Sequence, residues 1–360
     1  MRFLLWPFTL LYGLVMEIRN HLYTLEWLPS HMFPFPVISV GNITAGGTGK
    51  TPHTEYLIAL LKNEFRIASL SRGYLRKTKG FIIASESSGP DEIGDEAVQV
   101  KQKFPDIIVA VDRNRLHGIR TLMTERTDIS AILLDDAFQH RSVTAGLNIL
   151  LVDYHRPLTS DWLLPAGNLR EPVHNKSRAH IIIVTKCPAS LTPDDRNIML
   201  ARLNPRPEQR VFFSTFAYHE IRPVFPPAHE KVTLEHCIRE KYSVLLVTGI
   251  ANPLPLNKMI GNALPSLSAL SFPDHHRYRK KDIETIHDAY KKIGNVNKLI
   301  ITTEKDAVRF RQLTLPKDLQ DAMYYIPVKV DLLFGEKEAF DKIILTYVKT
   351  NQRDINLYQG

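Results

Sequence analysis

Val37-Ile38-Ser39-Val40-Gly41-Asn42-Ile43-Thr44-Ala45-Gly46-Gly47-Thr48-Gly49-Lys50-Thr51 is the stretch on which the reading of this chain turns. An apolar run reads as a buried strand, a glycine-rich segment as a loop, and a helix-compatible segment follows. Pro52 is harmless there, because the first-turn amides of a helix have no intrahelical partners. This is the arrangement of a phosphate-binding loop. Backbone N–H groups turn toward phosphate oxygens, Lys50 reaches the β- and γ-phosphates, and Thr51 offers its hydroxyl to Mg²⁺. Thr44, Ala45, Gly46, Gly47, Thr48 and Gly49 form the cradle, with Thr44 standing where the strict pattern has glycine. Glycine is scarce, 17 against 23 prolines in 360 residues, so three of them between Gly46 and Gly49 are not background.

Such a loop needs an acid for its metal at the end of a neighbouring strand, and Ala131-Ile132-Leu133-Leu134-Asp135-Asp136 supplies two. Consecutive strand side chains face opposite sides, so one aspartate can face the phosphates while the other lies at the strand's exit. The continuation Ala137-Phe138-Gln139-His140-Arg141 sets amide, imidazole and guanidinium groups beside the same sheet edge, where α/β proteins bind ligands.

Around this centre the pattern alternates. Strands are expected at 36–40, 66–70, 107–111, 131–134, 147–152 and 180–184, with helices between several of them. A second set follows at 243–248, 267–272, 299–303 and 323–328, with helices near 255–262, 280–292, 305–312 and 336–349. The expected fold is α/β: a P-loop NTPase-like, mostly parallel sheet with helices on both faces, plus a second, smaller α/β domain. Prolines 205, 207, 223, 226 and 227 mark 206–240 as an inter-domain connection. The domains are therefore 31–205 and 241–360, preceded by an N-terminal helix in 1–30.

That N-terminal segment opens with Arg2 and an apolar run, Phe3 through Val15, which at 13 residues is well short of the roughly 20 needed to span a bilayer. No small-x-small cleavage site follows, and the amphipathic pattern continues to Trp27, so a helix lying in a membrane interface is expected. A helix packed on the protein's own core is the alternative.

Composition excludes bulk disorder, collagen-like repeats and disulfide scaffolds: 44% of residues are hydrophobic and 23% charged. Cys187 and Cys237 form no C-x-x-C pair, which disfavours a zinc cluster. The net charge of +8 points to anionic partners. No basic run interleaved with aromatics favours nucleic acid. Guanine specificity is disfavoured as well, since Val184-Thr185-Lys186-Cys187-Pro188 lacks the asparagine and the acid of a guanine-reading segment.

A kinase needs a base beside the γ-phosphate, for which Asp95, Glu96 and His275 are candidates. Arg72, Arg113, Arg115, Arg141 and Arg170 are the guanidinium groups suited to an acceptor's phosphate. The loop Asp161–Pro172, hydrophobic then polar, suits an amphiphilic ligand with an anionic group. Residues alone leave open an ATP-driven switch that hydrolyses ATP to water, and a kinase for a soluble sugar or nucleoside.

In their order, Gly41-Asn42, Gly46–Pro52, Ser71-Arg72-Gly73-Tyr74, Gly94-Asp95-Glu96, Asp135–His140, Leu164–Pro172, Gly249–Pro253, Asp274-His275 and Thr303-Glu304-Lys305-Asp306 resemble the tetraacyldisaccharide 4'-kinases, the lipid A 4'-kinases of Gram-negative bacteria. The resemblance covers almost the whole chain, and that family tolerates a small hydroxyl residue at position 44. It implies transfer of the ATP γ-phosphoryl group to the 4'-hydroxyl of a tetraacylated glucosamine disaccharide 1-phosphate, at the cytoplasmic face of the inner membrane. It further implies that Lys50 and Thr51 serve phosphate and Mg²⁺, and that Asp135 and Asp136 are the metal-side acids. Asp95 is then the base, with His275 from the second domain as its partner, and Gln139, His140, Arg170 and Glu171 lie near the acceptor.

Overall fold

The computed structural model describes residues 5–355 apart from 219, 227–231 and 265. Arg2, Phe3, Pro227 and the end of the C-terminal tail lie outside the described residues. The chain divides into two compact units, one built from Met1–Phe216 and Val330–Gly360, the other from Ala217–Lys329.

The first unit holds strands β1 (Val37–Gly41), β2 (Ile67–Ser71), β3 (Ile108–Val111), β4 (Ala131–Asp135), β5 (Leu147–Asp153), β6 (Ile181–Thr185) and β7 (Arg210–Ala217). They lie in the order β7-β6-β5-β1-β4-β2-β3 within a nine-stranded sheet whose edges are Lys329–Leu332 and Ile82–Ile83. All neighbours from β7 to β3 run parallel. β1, β4 and β6 are buried along their whole length, which is why they read as unbroken apolar runs rather than alternations. Helices α1 (Trp6–Thr24), α2 (Lys50–Leu61), α3 (Asp95–Lys103), α4 (Arg115–Glu125) and α5 (Pro193–Leu203) belong to the same unit. One core cluster includes Leu70, Ala110, Ile119, Leu122, Ile132 and Leu134. Another joins Ile43, Leu150, Val152, Ile182, Met199 and Phe213. β1 lies between β4 and β5 while the chain leaves it for β2, so ligands are expected beyond its carboxyl end, at the switch of strand order.

The second unit is a five-stranded sheet in which β8 (Ser243–Thr248), β9 (Ser266–Ser271), β10 (Lys298–Thr303) and β11 (Met323–Ile326) run parallel, with Arg222–Pro223 antiparallel at one edge. Its helices include α6 (Leu254–Ala263), α7 (Lys280–Lys291) and α8 (Glu304–Phe310).

The domain scheme read from the sequence differs from this in two places. Within 206–240, read as a connection, Arg210–Ala217 is a sheet strand paired in register with Ile181–Val184, and Leu234–Arg239 is helical. Prolines 205 and 207 bound β7 rather than break it. The segment after Lys329 leaves the second unit. Its final helix α9 (Lys337–Ile355) packs on the first, with the Phe340 ring 5.1 Å from Phe212 and Tyr347 Oη donating to the Val37 carbonyl at 3.2 Å.

No helix among the described residues is long and apolar enough to cross a membrane. α1 is inverted relative to an ordinary surface helix: Thr9, Gly13 and Asn20 are buried, while Phe8, Leu10, Leu11 and Leu14 are each more than half exposed. It therefore rests on the protein by its small and polar side.

Candidate active site

The loop between β1 and α2 is built to bring backbone close to an anion. Gly46 and Gly49 take φ of +94° and +89°, a region closed to most side chains. The amides at the start of α2 are thereby left with no helical partner. Gly41 is required for another reason, since a Cβ there would stand 2.7 Å from Phe138 Cβ and 2.8 Å from its amide nitrogen. Asn42 ties the loop to itself by donating to Thr48 Oγ1 at 2.7 Å.

Neighbouring strands brace the loop from their carboxyl ends. Thr185 Oγ1 donates to the Thr48 carbonyl at 2.8 Å, and Lys186 Nζ donates to the Gly47 carbonyl while pairing with Asp153 at 2.7 Å. His53, buried in the first turn of α2, has Nδ1 2.7 Å from the Gly49 carbonyl, and burial pushes its imidazole down to about 4, so it is neutral at pH 7. Lys186 entered the sequence reading only as evidence against guanine. Asp153 and His53 were not singled out, because they meet the loop only through the fold.

β4 delivers the two acids in different ways. Asp135 ends the strand beside Val40, buried, accepting from Thr54 Oγ1 at 3.2 Å. Asp136 takes φ of +49°, which breaks the strand's alternation. Its carboxylate lies 3.6 Å from Lys50 Nζ and 3.4 Å from Arg170 Nη1. Burial first, then Glu96 and Asp136, raise Asp135 to about 7, against the pull of Lys50. For Asp136 burial acts in the same upward direction, but Lys50, Arg170 and Arg115 together outweigh it and hold the carboxyl below its ordinary range. One carboxylate is therefore firmly ionised, and the other is left with less positive charge than its burial and acidic neighbours demand, a deficit that a divalent cation would make up.

No group of three or more His, Cys, Asp or Glu among the described residues could hold a metal by itself. Mg²⁺ takes one or two protein ligands together with phosphates and waters. Thr51, Asp135 and Asp136 fit such a set.

The loop Asp161–Arg170 runs alongside the glycine loop. Ala45 N–H donates to the Asn168 carbonyl at 2.6 Å, Arg170 N–H to the Ile43 carbonyl at 2.8 Å, and Thr44 bridges Leu169. Asp161 closes this hairpin by accepting from Asn168 Nδ2 at 2.9 Å. On its other side it meets α1, where Thr9 Oγ1 accepts from Ala166 N–H at 3.1 Å and Tyr12 Oη donates to the Arg170 carbonyl at 2.8 Å. Glu171 is fully buried and paired with Arg178, whose guanidinium also covers the Phe138 ring at 4.5 Å. Its carboxylate therefore anchors the end of the hairpin from within.

Gln139 Nε2 donates to the Asn42 carbonyl, and the Gln139 backbone carbonyl accepts from Arg19 Nη2 of α1 at 3.0 Å. Burial, then Arg115, Arg72 and Arg19, push His140 down to about 4. Arg178 belongs to no motif, and Arg19 reads in the sequence only as part of the amphipathic N-terminal segment. Asp95 opens α3, partly exposed, next to Glu96, which acts electrostatically on Asp135.

His275 belongs to the second unit. There Asp274-His275, Gly249 and Asp306 converge beyond the carboxyl ends of β8, β9 and β10. Lys305 Nζ is 2.9 Å from His275 Nε2, Lys305 also pairs with Asp274 at 3.5 Å, and buried Asp306 accepts from Gly249 N–H at 2.8 Å and pairs with Arg309 at 2.8 Å.

The sequence profile of the Tetraacyldisaccharide-1-P 4'-kinase family matches residues 1–349. The tetraacyldisaccharide 4'-kinase of Bacteroides thetaiotaomicron is 44% identical over 357 residues, covering 97% of this chain and 94% of that protein. That of Parabacteroides distasonis is 46% identical over 352 residues, covering 96% and 95%. Among solved structures, LpxK from Aquifex aeolicus in complex with ATP superposes with a TM-score of 0.73 at 29% identity, over 96% of this chain and 99% of that one. With the family profile spanning nearly its whole length and relatives this similar end to end, the chain belongs to the tetraacyldisaccharide-1-P 4'-kinase family.

Proposed function

We propose that this chain transfers the γ-phosphoryl group of ATP to the 4'-hydroxyl of a tetraacylated glucosamine disaccharide 1-phosphate, a step of lipid A biosynthesis. The family match over residues 1–349 carries this reading, and the loop geometry supports it. Loop amides and Lys50 bind the β- and γ-phosphates. Thr51, Asp135 and Asp136 would hold Mg²⁺, which would neutralise charge on the phosphate oxygens. Asp95 takes the proton as the sugar oxygen bonds to the γ-phosphorus and the bond to the β–γ bridging oxygen breaks, releasing ADP. His275 is the residue assigned to orient that carboxylate. Gln139, neutral His140 and Arg170 face the sugar phosphate, and Glu171 with Arg178 keeps Arg170 in place. The exposed apolar side of α1 lies in the interface of the anionic cytoplasmic membrane surface.

The test is transfer of radiolabel from ATP to the lipid acceptor in detergent micelles. Label that stays wholly out of the lipid rejects the reading. Asp95→Ala and His275→Ala each lower turnover by about 10²–10⁴-fold with little change in the KM for ATP. Near-normal turnover in both variants rejects the base assignment.

The state of Asp135 sets a pH dependence. Its carboxyl is raised from 3.8 to about 7 by burial, Glu96 and Asp136, so in the metal-free folded protein a proton occupies it below that pH. A cation must displace this proton. Apparent Mg²⁺ affinity therefore falls by up to about tenfold per pH unit below neutrality and levels off above it. Mg²⁺-induced thermal stabilisation measured from pH 6 to 8 reads this directly, and a flat profile contradicts it.

A further inference from the structure

Three consecutive residues of α2 are buried and polar, and each is bonded to a different part of the first unit. His53 Nε2 lies 3.0 Å from Ser214 Oγ on β7, Thr54 Oγ1 donates to Asp135, and Glu55 turns toward α3. The Glu55 carboxylate, on a residue only 4% exposed, accepts from Gln99 Nε2 at 2.7 Å and from Lys103 Nζ at 2.6 Å. Gln99 is itself buried. The ties of His53 and Thr54 serve the glycine loop and the metal-side acid. The tie of Glu55 serves neither.

α2 and α3 are the helices whose first turns carry the proposed chemistry: Lys50 and Thr51 open one, Asp95 and Glu96 the other. At 1.5 Å per residue, Glu55 lies roughly 7.5 Å along α2 from Lys50, and Gln99 roughly 6 Å along α3 from Asp95. One carboxylate therefore joins the helices little more than a turn behind their working ends. An apolar contact would join them too, yet leave one free to slide or rotate on the other. Two hydrogen bonds to a single carboxylate are directional and restrict both motions. α3 has a second fixed point at its start. Gly94 takes φ of +89°, and a Cβ there would stand 2.7 Å from the Tyr74 carbonyl oxygen. Held at Gly94 and at Gln99, the first turn of α3 has little room to tilt, and Glu96 on that turn acts electrostatically on Asp135.

We propose that Glu55 is a positioning residue for phosphoryl transfer: through Gln99 and Lys103 it sets where Asp95 stands relative to Lys50 and the glycine loop. The inference rests on the reading of Asp95 as the base and names what places it. A small displacement of a base slows the chemical step without loosening the nucleotide, so the signature of Glu55 lies in kcat and not in the KM for ATP.

The test is a double-mutant cycle on the full-length protein, with labelled ATP and the lipid acceptor in detergent micelles, each variant assayed well below its melting midpoint. Glu55→Gln keeps the size of the side chain and gives up its charge; it is expected to lower kcat about tenfold while the KM for ATP changes by less than about twofold. In an Asp95→Ala background the same substitution is expected to cost less than about twofold, since the group it positions is gone. Glu55→Gln combined with Gln99→Glu exchanges the partners, returns an amide–carboxylate bond and sets the carboxylate one turn before Lys103; kcat is expected to recover to within about threefold of wild type. Lys103→Met, at a side chain 24% exposed, removes one of the two bonds from the surface end. It is expected to lower kcat about threefold and carries the cycle if Glu55→Gln does not fold. Unchanged kcat in Glu55→Gln, or in Lys103→Met where it stands in, overturns the proposal, as does a double variant no faster than Glu55→Gln. So does a loss that persists undiminished in the Asp95→Ala background, which would make Glu55 a matter of general packing. A KM for ATP that rises in step with the fall in kcat overturns it too, by assigning Glu55 to the nucleotide loop. Near-normal turnover of Asp95→Ala alone instead rejects the base reading on which the proposal stands.

Discussion

Alanine in place of Lys50 lowers phosphoryl transfer by about 10²–10³-fold, the cost of removing one preorganised charge from a site where charge shifts in the transition state. The ammonium sits 3.6 Å from Asp136 and helps hold that carboxyl ionised against its burial. Without it, the proposed phosphate site loses its lysine charge, and Asp136 loses the first of the cations that keep it charged. Lys50→Arg preserves the charge but replaces a point donor with a planar fork, and it is expected to recover only a small part of the rate. Turnover with labelled ATP checks both variants, alongside a thermal scan in which the midpoint moves by no more than a few degrees. Near wild-type turnover for the alanine variant would remove Lys50 from the phosphate site.

Loss of the Arg115 guanidinium strikes stability and activity together. Its side chain is fully buried at the start of α4, where a helix dipole disfavours a cation. Nη1 donates to the Asp112 carbonyl at 2.7 Å and Nη2 to the Asp135 carbonyl at 3.2 Å. Burial pulls the group down to about 10, while Asp135 and Asp136 pull it back up, so it remains charged at pH 7. Arg115→Met leaves the Asp112 and Asp135 carbonyls without this donor and removes one of the charges acting on Asp135 and Asp136, a loss of about 2–5 kcal/mol. At a few degrees per kcal/mol for a domain of this size, the midpoint drops by roughly 10 °C. Arg115→Lys keeps charge but cannot span two carbonyls, so it recovers the midpoint only in part. A midpoint within two degrees of wild type for the methionine variant would contradict this account.

Legibility in the sequence followed the range of the interactions. β1, the glycine loop and the start of α2 are contiguous, so a period change and three glycines suffice to reveal them. Asp135-Asp136 announces itself by ending an apolar run. Arg210–Ala217 was hidden because flanking prolines resemble a linker, although its partner Ile181–Thr185 is itself legible as an apolar run. The return of 330–355 to the first unit was likewise invisible, since its helical pattern states an apolar face without naming what covers it.

The bracing of the glycine loop by Thr185, Lys186 and Asp153, and the Glu171–Arg178 pair, rest on contacts that only the fold brings together. For α1 the periodicity revealed a helix with an apolar side, but which side faces the protein depends on Thr9, Tyr12 and Asn20 finding contacts in distant loops.

The ladder Ala45–Asn168, Ile43–Arg170 and Thr9–Ala166 gives the protein a shared strut: the glycine loop leans on a hairpin, and the hairpin leans on α1. Replacing α1 by a different amphipathic helix would therefore leave the hairpin, and through it one side of the glycine loop, unsupported, so damage to the inner, polar face of α1 is felt at a loop that lies outside the helix.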